Sequence, residues 1–371
     1  QMTDRKQESN MTEKLKVAVL GGTGMVGQRF ITILENHPWF EVTTIAASPR
    51  SAGKTYGEAL AGRWKLEVPM PEMVKKIVVK DVQDVEGIAK DVDFCFSAVD
   101  MSKDEIRAIE EAYAKTETPV VSNNSAHRWT PDVPMIIPEI NPEHAEVIAF
   151  QRERLHTKRG FIAVKPNCSI QSYTPVLAAW KDLEPYEAVV TTYQAISGAG
   201  KNFEEWPEMV GNVIPFISGE EEKSEKEPLR IFGHIEGGQI VPAKSPLITC
   251  QCIRIPVLYG HTAAVFLRLK KSASKEELIE KLHAFSGVPQ QLQLPSAPKQ
   301  MIRYLEEEDR PQVTKDVDYE GGMGVSIGRL RKDSLLDWKF VGLSHNTLRG
   351  AAGGAVECAE LLCALHYIEK K

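Results

Sequence analysis

The sequence predicts an α/β protein in which a doubly wound parallel sheet comes first and an α+β region with a mixed sheet follows. Three observations carry this reading. A short apolar strand, Leu15–Leu20, runs straight into the glycine turn Gly21–Gly22–Thr23–Gly24–Met25–Val26–Gly27 and then into a helical pattern through Leu34. Strand-like and helix-like segments then alternate up to Val164, and such alternation implies parallel crossovers. Past Val164 the chain turns to longer strand-like runs with fewer helices.

Strand, glycine turn and helix in that order make a Rossmann-type dinucleotide site. Gly21, Gly24 and Gly27 let the backbone approach a pyrophosphate, and Thr23, Met25 and Val26 complete the turn at a helix N-terminus, whose field favours an anion. The second strand is expected at 41–47. A site for NAD usually carries Asp or Glu near the end of this strand, to accept from the ribose 2′-hydroxyl. Here the chain reads Ser48–Pro49–Arg50–Ser51. An arginine and two hydroxyls without a carboxylate suit the 2′-phosphate of NADP, with Arg50 as the charged partner. Further strands are expected at 76–79, 92–97 and 119–122, with a helix at 102–114 between the last two. Ser97 and Asn123 then stand at strand carboxyl ends, where ligands of such sheets bind.

A strand at 160–164 leads into Lys165–Pro166–Asn167–Cys168–Ser169–Ile170, and the apolar spacing of 171–180 suits a helix. A cysteine at this junction lies at a helix N-terminus, where free N–H groups and the dipole favour a thiolate. Taken alone, a buried structural cysteine explains the same pattern. Later strands are expected at 188–196, 252–257, 263–269, 325–330 and 338–343, with a helix at 275–285 and an apolar helix at 355–368. The charge run Glu220 to Glu227 reads as an exposed loop. The expected division is a disordered lead-in at 1–14, an NADP-binding domain at 15–166, a second domain at 167–345, and a segment at 346–371 whose helix returns to the first domain.

Composition narrows the functional classes. The chain has 371 residues, enough for two ordinary domains, and a net charge of −6 argues against a general nucleic-acid surface. No apolar run approaches a membrane span, and the polar first residues lack the apolar core of a signal peptide. Six dispersed cysteines without paired C-x-x-C units argue against a structural zinc site, and no metal is expected. Free thiols in a reducing, cytoplasmic setting are expected. Cys250–Gln251–Cys252 is expected to send its side chains to opposite faces of a strand.

With these residues in view, the chain resembles the aspartate-β-semialdehyde dehydrogenases over nearly its whole length. The resemblance rests on the GGTGMVG turn, Pro166–Asn167–Cys168, Gln194 ahead of Ser197–Gly198–Ala199–Gly200, the block Arg254–Ile255–Pro256–Val257–Leu258–Tyr259–Gly260–His261, and the stretch Asn346 to Gly354. Asn167–Cys168–Ser169–Ile170 and the acidic Glu220 segment look like the branch found in archaea and fungi. The resemblance implies NADP-dependent interconversion of L-aspartyl-4-phosphate and L-aspartate-4-semialdehyde, at the head of lysine, threonine and methionine synthesis.

Residue by residue, it implies Cys168 as the nucleophile that forms a thioester, His261 as acid–base and Gln194 as a group orienting the substrate. Arg254 would clamp the substrate carboxylate. Arg128 and Lys223 would meet the phosphate, Glu220 the substrate ammonium, and Asn167 the developing oxyanion. Ser197, Gly198 and Asn346 would lie by the nicotinamide. The second domain would be a dimerisation domain, and a homodimer or homotetramer is expected. Three other readings remain open: an N-acetyl-glutamyl-phosphate reductase, a malonyl-CoA reductase, and a non-catalytic NADP-binding regulator on the same scaffold.

Overall fold

A computed structural model describes residues 13–371; most of the lead-in expected at 1–14 lies outside the described residues. The first sheet contains β1 (Leu15–Leu20), β2 (Phe40–Ala47), β3 (Lys80–Asp81), β4 (Phe94–Ser97), β5 (Val120–Ser122) and β6 (Ile162–Val164). Its order is β3-β2-β1-β4-β5-β6, and every pairing is parallel. Strand order reverses between β1 and β4, which opens the crevice where such sheets bind ligands.

Alternation along each strand fills both faces of this sheet. Ala18, Leu20 and Cys95 point to one side, where Ile106, Ile109 and Tyr113 of α1 (Lys103–Lys115) cover them. Ser102 and Glu105 close the start of α1 with reciprocal hydrogen bonds, a device worth about 1 kcal/mol. Val17, Val19, Phe94 and Phe96 point to the other side, against Phe30 and Ile31 and against Val356 and Leu361 of the C-terminal helix α2 (Gly353–Ala364). A sheet covered on both faces needs apolar residues at every position, which is why these strands read as continuous apolar runs.

The second sheet runs β10-β7-β11-β14-β13-β12. Its strands are β7 (Pro185–Gln194), β10 (Leu247–Arg254), β11 (His261–Leu269), β12 (Ile302–Leu305), β13 (Val325–Lys332) and β14 (Trp338–Ser344), while β8 (His234–Glu236) and β9 (Gln239–Val241) form a separate hairpin. The sheet is mixed: β10 and β12 pair parallel to their neighbours and the rest antiparallel. Ala188, Val190, Ala263, Val265 and Leu267 face Trp180, Leu278 and Leu282 within the core. The opposite face leaves Val189, Phe266 and Leu247 exposed.

Four expectations change. The third strand was placed at 76–79, but Val79 pairs with Lys54 and Gly53 and Val78 bridges Thr55, so the run serves a side loop and only Lys80–Asp81 joins the sheet. The helix expected at 171–180 is a 3-10 turn over Cys168–Ser172 followed by a short helix, Thr174–Ala179. The acidic segment is no loop: Glu220–Ile231 is a helix whose buried side includes Glu220, Ser224, Glu227 and Ile231. Three glutamates in its first turn complement the helix dipole. Finally, Cys250 and Cys252 share one face of β10, both buried with sulfurs 3.8 Å apart, because residues two apart on a strand point the same way.

Candidate active site

Cys168 opens the 3-10 turn that follows β6, and Asn167 caps that turn by accepting from the Ser169 N–H at 2.7 Å. His261 is the first residue of β11, and its Nε2 lies 3.2 Å from the Cys168 sulfur. The Ala195 N–H donates to the other ring nitrogen, Nδ1, at 3.0 Å. A backbone amide can only donate, so Nδ1 is unprotonated and the neutral ring carries its proton on Nε2, aimed at the sulfur. Burial and the adjacent Arg254 push the imidazole down to about 3, so it is neutral throughout the physiological range.

Arg254 ends β10 and donates to the Ala195 carbonyl at 2.6 Å. It is buried, and among the described residues it has no salt-bridge partner. The neighbouring carboxylates are engaged elsewhere. Glu220 accepts from Asn167 Nδ2 at 2.8 Å and from Gln194 Nε2 at 3.0 Å, with Lys223 at 3.7 Å. Glu227 accepts from the Asn167 N–H at 2.6 Å and lies 3.4 Å from Arg128. A buried cation without a counter-ion is costly and calls for an anion. Gly198 keeps the space beside it open: a Cβ there would lie 3.0 Å from the Arg254 guanidinium and 3.4 Å from His261 Nε2.

Arg128 is tied to the turn, donating to the carbonyls of Lys165 and Asn123, each at 3.0 Å. It also lines a cavity of about 470 Å³ with Lys103, Lys223 and Lys226. Asn167, expected at the oxyanion, has its N–H held by Glu227 and its side-chain amide donating to Glu220. The donor facing the thiol is His261 instead.

Burial and the Glu220 carboxylate push the Cys168 thiol up to about 11, against the pull of Lys165, Arg254 and Arg128. Removing the negative charge favours the thiolate. Glu220→Gln is therefore expected to lower the thiol pKa and to speed iodoacetamide alkylation of Cys168 at pH 8 by about tenfold. An unchanged pH profile of alkylation would show that Glu220 does not act on the thiol.

A larger cavity, about 590 Å³, opens at the switch point between β1 and β4. Gly21, Thr23, Gly24 and Ser48 line it. Gly21 has φ +79 and approaches the Ala98 carbonyl so closely that a Cβ would sit 2.3 Å from its oxygen. Met25 and Gly27 are buried behind the turn and Val26 is partly buried. Arg50 is exposed and Ser51 buried; neither lines the cavity. Ser97 is buried at the end of β4, and Asn123 sits nearby, its N–H donating to the Ser97 carbonyl. Ser197 and Asn346 belong to the catalytic end: Asn346 donates to Ser197 at 2.8 Å and accepts from the Gly260 N–H at 2.8 Å. Of the expected cofactor residues, Gly21, Thr23, Gly24 and Ser48 line the cavity, Ser197, Gly198 and Asn346 lie towards His261, and the others line neither.

Two family models match the chain: semialdehyde dehydrogenase, NAD binding domain, over residues 16–148, and semialdehyde dehydrogenase, dimerisation domain, over residues 176–349. The chain belongs to the semialdehyde dehydrogenase family. It is 44% identical over 351 residues to an aspartate-semialdehyde dehydrogenase of Methanothermobacter thermautotrophicus, covering 94% of this chain and 99% of that one. The Candida albicans aspartate-semialdehyde dehydrogenase is 40% identical, over 95% of this chain and 99% of that one. A crystal structure of the aspartate semialdehyde dehydrogenase from Candida albicans with NADP superposes with a TM-score of 0.85 at 37% identity, covering 96% of this chain and all of the other.

Two cations of this semialdehyde dehydrogenase escape a motif-based reading. Arg63 and Lys65 line the larger cavity from a loop without a motif. Lys165 is buried, and its ammonium donates to the carbonyls of Pro166 and Gly350, joining the Cys168 turn to the π-helical turn Leu348–Ala352. Burial and Arg128 push it down to about 7. Its signal in the sequence is a lysine closing an apolar strand. Gly350 packs on Cys168, and a Cβ there would sit 2.9 Å from the Cys168 Cβ.

Proposed function

We propose that this chain catalyses the NADP-dependent interconversion of L-aspartyl-4-phosphate and L-aspartate-4-semialdehyde through a thioester on Cys168. This is the reaction that feeds lysine, threonine and methionine synthesis. The observation that carries the reading is the Cys168–His261 pair beside a buried Arg254 that has no salt-bridge partner among the described residues. The glycine cradle at Gly21, open only to a residue without Cβ and set against a helix N-terminus, fits a dinucleotide pyrophosphate. The Candida albicans neighbour, solved with NADP, supports that cofactor. When bound, NADPH supplies the hydride that reduces the thioester.

The Cys168 thiol gives its proton to the substrate phosphate as the sulfur attacks the acyl carbon; the carbon–oxygen bond to phosphate breaks, hydrogen phosphate leaves, and a thioester remains. After reduction, the hemithioacetal alkoxide collapses, its carbon–sulfur bond breaks, and the aldehyde leaves the thiolate behind. Neither step requires His261 to take a proton. Its Nε2–H serves as the donor that stabilises sulfur and oxygen anions in turn. Arg254 holds the substrate carboxylate with its planar fork, and Glu220 meets the ammonium. Arg128 and Lys223 supply positive charge for the phosphate. The exposed apolar face of the second sheet, with Val189, Leu247 and Phe266, is the surface on which a second copy would pack.

Mixing the protein with aspartate semialdehyde, phosphate and NADP should produce NADPH, read at 340 nm, roughly the absorbance maximum of the reduced nicotinamide. No reduction with either NADP or NAD would overturn the proposal. Arg50→Ala is expected to raise KM for NADP by roughly tenfold or more, the worth of one charge-assisted contact, with little change for NAD. Equal effects on both would place the 2′-phosphate away from Arg50, with Arg63, which lines the cavity, the next cation to test.

A further inference from the structure

One chain of contacts joins the cofactor cavity to the catalytic histidine. Gly62, Arg63, Trp64 and Lys65 line the cavity. The fully buried Gln28 holds this segment to the glycine turn: its Oε1 accepts from the Lys65 N–H at 2.8 Å, and its Nε2 donates to the carbonyls of Arg63 at 3.2 Å and Thr23 at 2.9 Å. On the far side, Lys65 reaches the Gly200 carbonyl at 3.1 Å and Glu205 at 3.0 Å.

The same segment continues to Glu67, and Glu67 meets Tyr259 across 192 residues of sequence, the hydroxyl donating at 2.6 Å. Arg29 braces both partners. It bonds Glu67 at 3.2 Å, lies 5.2 Å over the Tyr259 ring, and donates to Thr347 at 3.1 Å. The Tyr259 ring stacks on His345 at 5.3 Å. Tyr259 is followed by Gly260, whose N–H is fixed by Asn346, and then by His261. From the cavity wall to the imidazole there are thus one loop, one hydrogen bond and two residues of backbone.

We propose that Glu67 and Tyr259 are positioning residues through which a 2′-phosphorylated dinucleotide, bound against residues 62–65, sets His261 against the Cys168 sulfur. The proposal deepens the function proposed above and rests on it. Its logic is that of coupled sites: a ligand that orders residues 62–67 favours the placement of Tyr259 in which the hydroxyl reaches Glu67. That placement fixes the two residues that follow. The Glu67 side chain is half exposed, and contacts of this kind add little to global stability. Loss of the bond should therefore show as lost coupling, not as unfolding.

The probe is 2′-phospho-ADP-ribose, which lacks the nicotinamide and so cannot shield Cys168 directly. Its binding is measured by calorimetry, and its effect is read as the rate of Cys168 alkylation by iodoacetamide, followed by mass spectrometry. In the unaltered protein, saturating probe is expected to speed alkylation by about fivefold or more, because a correctly placed Nε2–H stabilises the thiolate. In Tyr259→Phe and in Glu67→Ala the probe should still bind, the melting temperature should hold, and the acceleration should vanish. The double variant should match either single one, since both remove the same bond. Undiminished acceleration in both variants, or none in the unaltered protein despite binding, overturns the positioning role alone. Failure of the probe to bind the unaltered protein overturns the cofactor assignment and this inference with it.

Discussion

Cys168→Ala is expected to reduce turnover by about four orders of magnitude or more while NADP still binds. The proposed thioester route has no second cysteine to fall back on. Cys95, Cys250, Cys252 and Cys358 are buried in the core, and Cys363 belongs to the C-terminal helix. Alanine keeps the Cβ that packs against Gly350, so the turn should survive. Assays with aspartate semialdehyde and NADP, alongside a binding titration with NADP, separate chemistry from folding. Activity within about tenfold of the unaltered protein would mean that the acyl group never passes through this sulfur.

Arg254→Ala should cost on the order of 10²–10³ in kcat/KM for aspartate semialdehyde, the range for losing one partner of a desolvated charge pair. NADP affinity should not change. Arg254 also donates to the carbonyl of Ala195, the residue whose N–H orients His261, so part of the loss should appear in kcat. Arg254→Lys restores charge without the planar fork and should recover only part of the activity. If lysine recovers all of it, bidentate recognition is wrong and a point charge suffices. If alanine leaves kcat/KM intact, the carboxylate binds elsewhere.

What the sequence made legible was local. β1, the glycine turn and the following helix could be read because strand, turn and helix signals lie within twenty residues or so of each other. Cys168, Arg254 and His261 stood out through resemblance, and the structure brings them together from three separate elements. The helix Glu220–Ile231 was hidden for a physical reason. Its buried stripe includes Glu220, Ser224 and Glu227, and hydrophobic periodicity cannot detect a face buried for polar contacts. Those residues meet Asn167, Ser169 and Gln194, all distant in sequence. Arg63 and Lys65 were invisible because a cation in a loop is ordinarily solvated, and only the fold shows which cavity it borders.

Burial, and after it the Glu220 carboxylate, also bear on how the Cys168 thiol meets oxidants. Peroxide attacks a thiolate far faster than a thiol, and the first product, a sulfenic acid, would end catalysis. With the carboxylate nearby and the sulfur partly buried, the resting thiol keeps its proton. A substrate ammonium paired with Glu220 would cancel that negative field, and with Arg254 and Arg128 paired to the substrate's own anions the buried Lys165 would remain to favour the thiolate. The sulfur would then be reactive chiefly while substrate occupies the site. An enzyme built this way is shielded from redox damage when idle and becomes vulnerable in proportion to its own traffic.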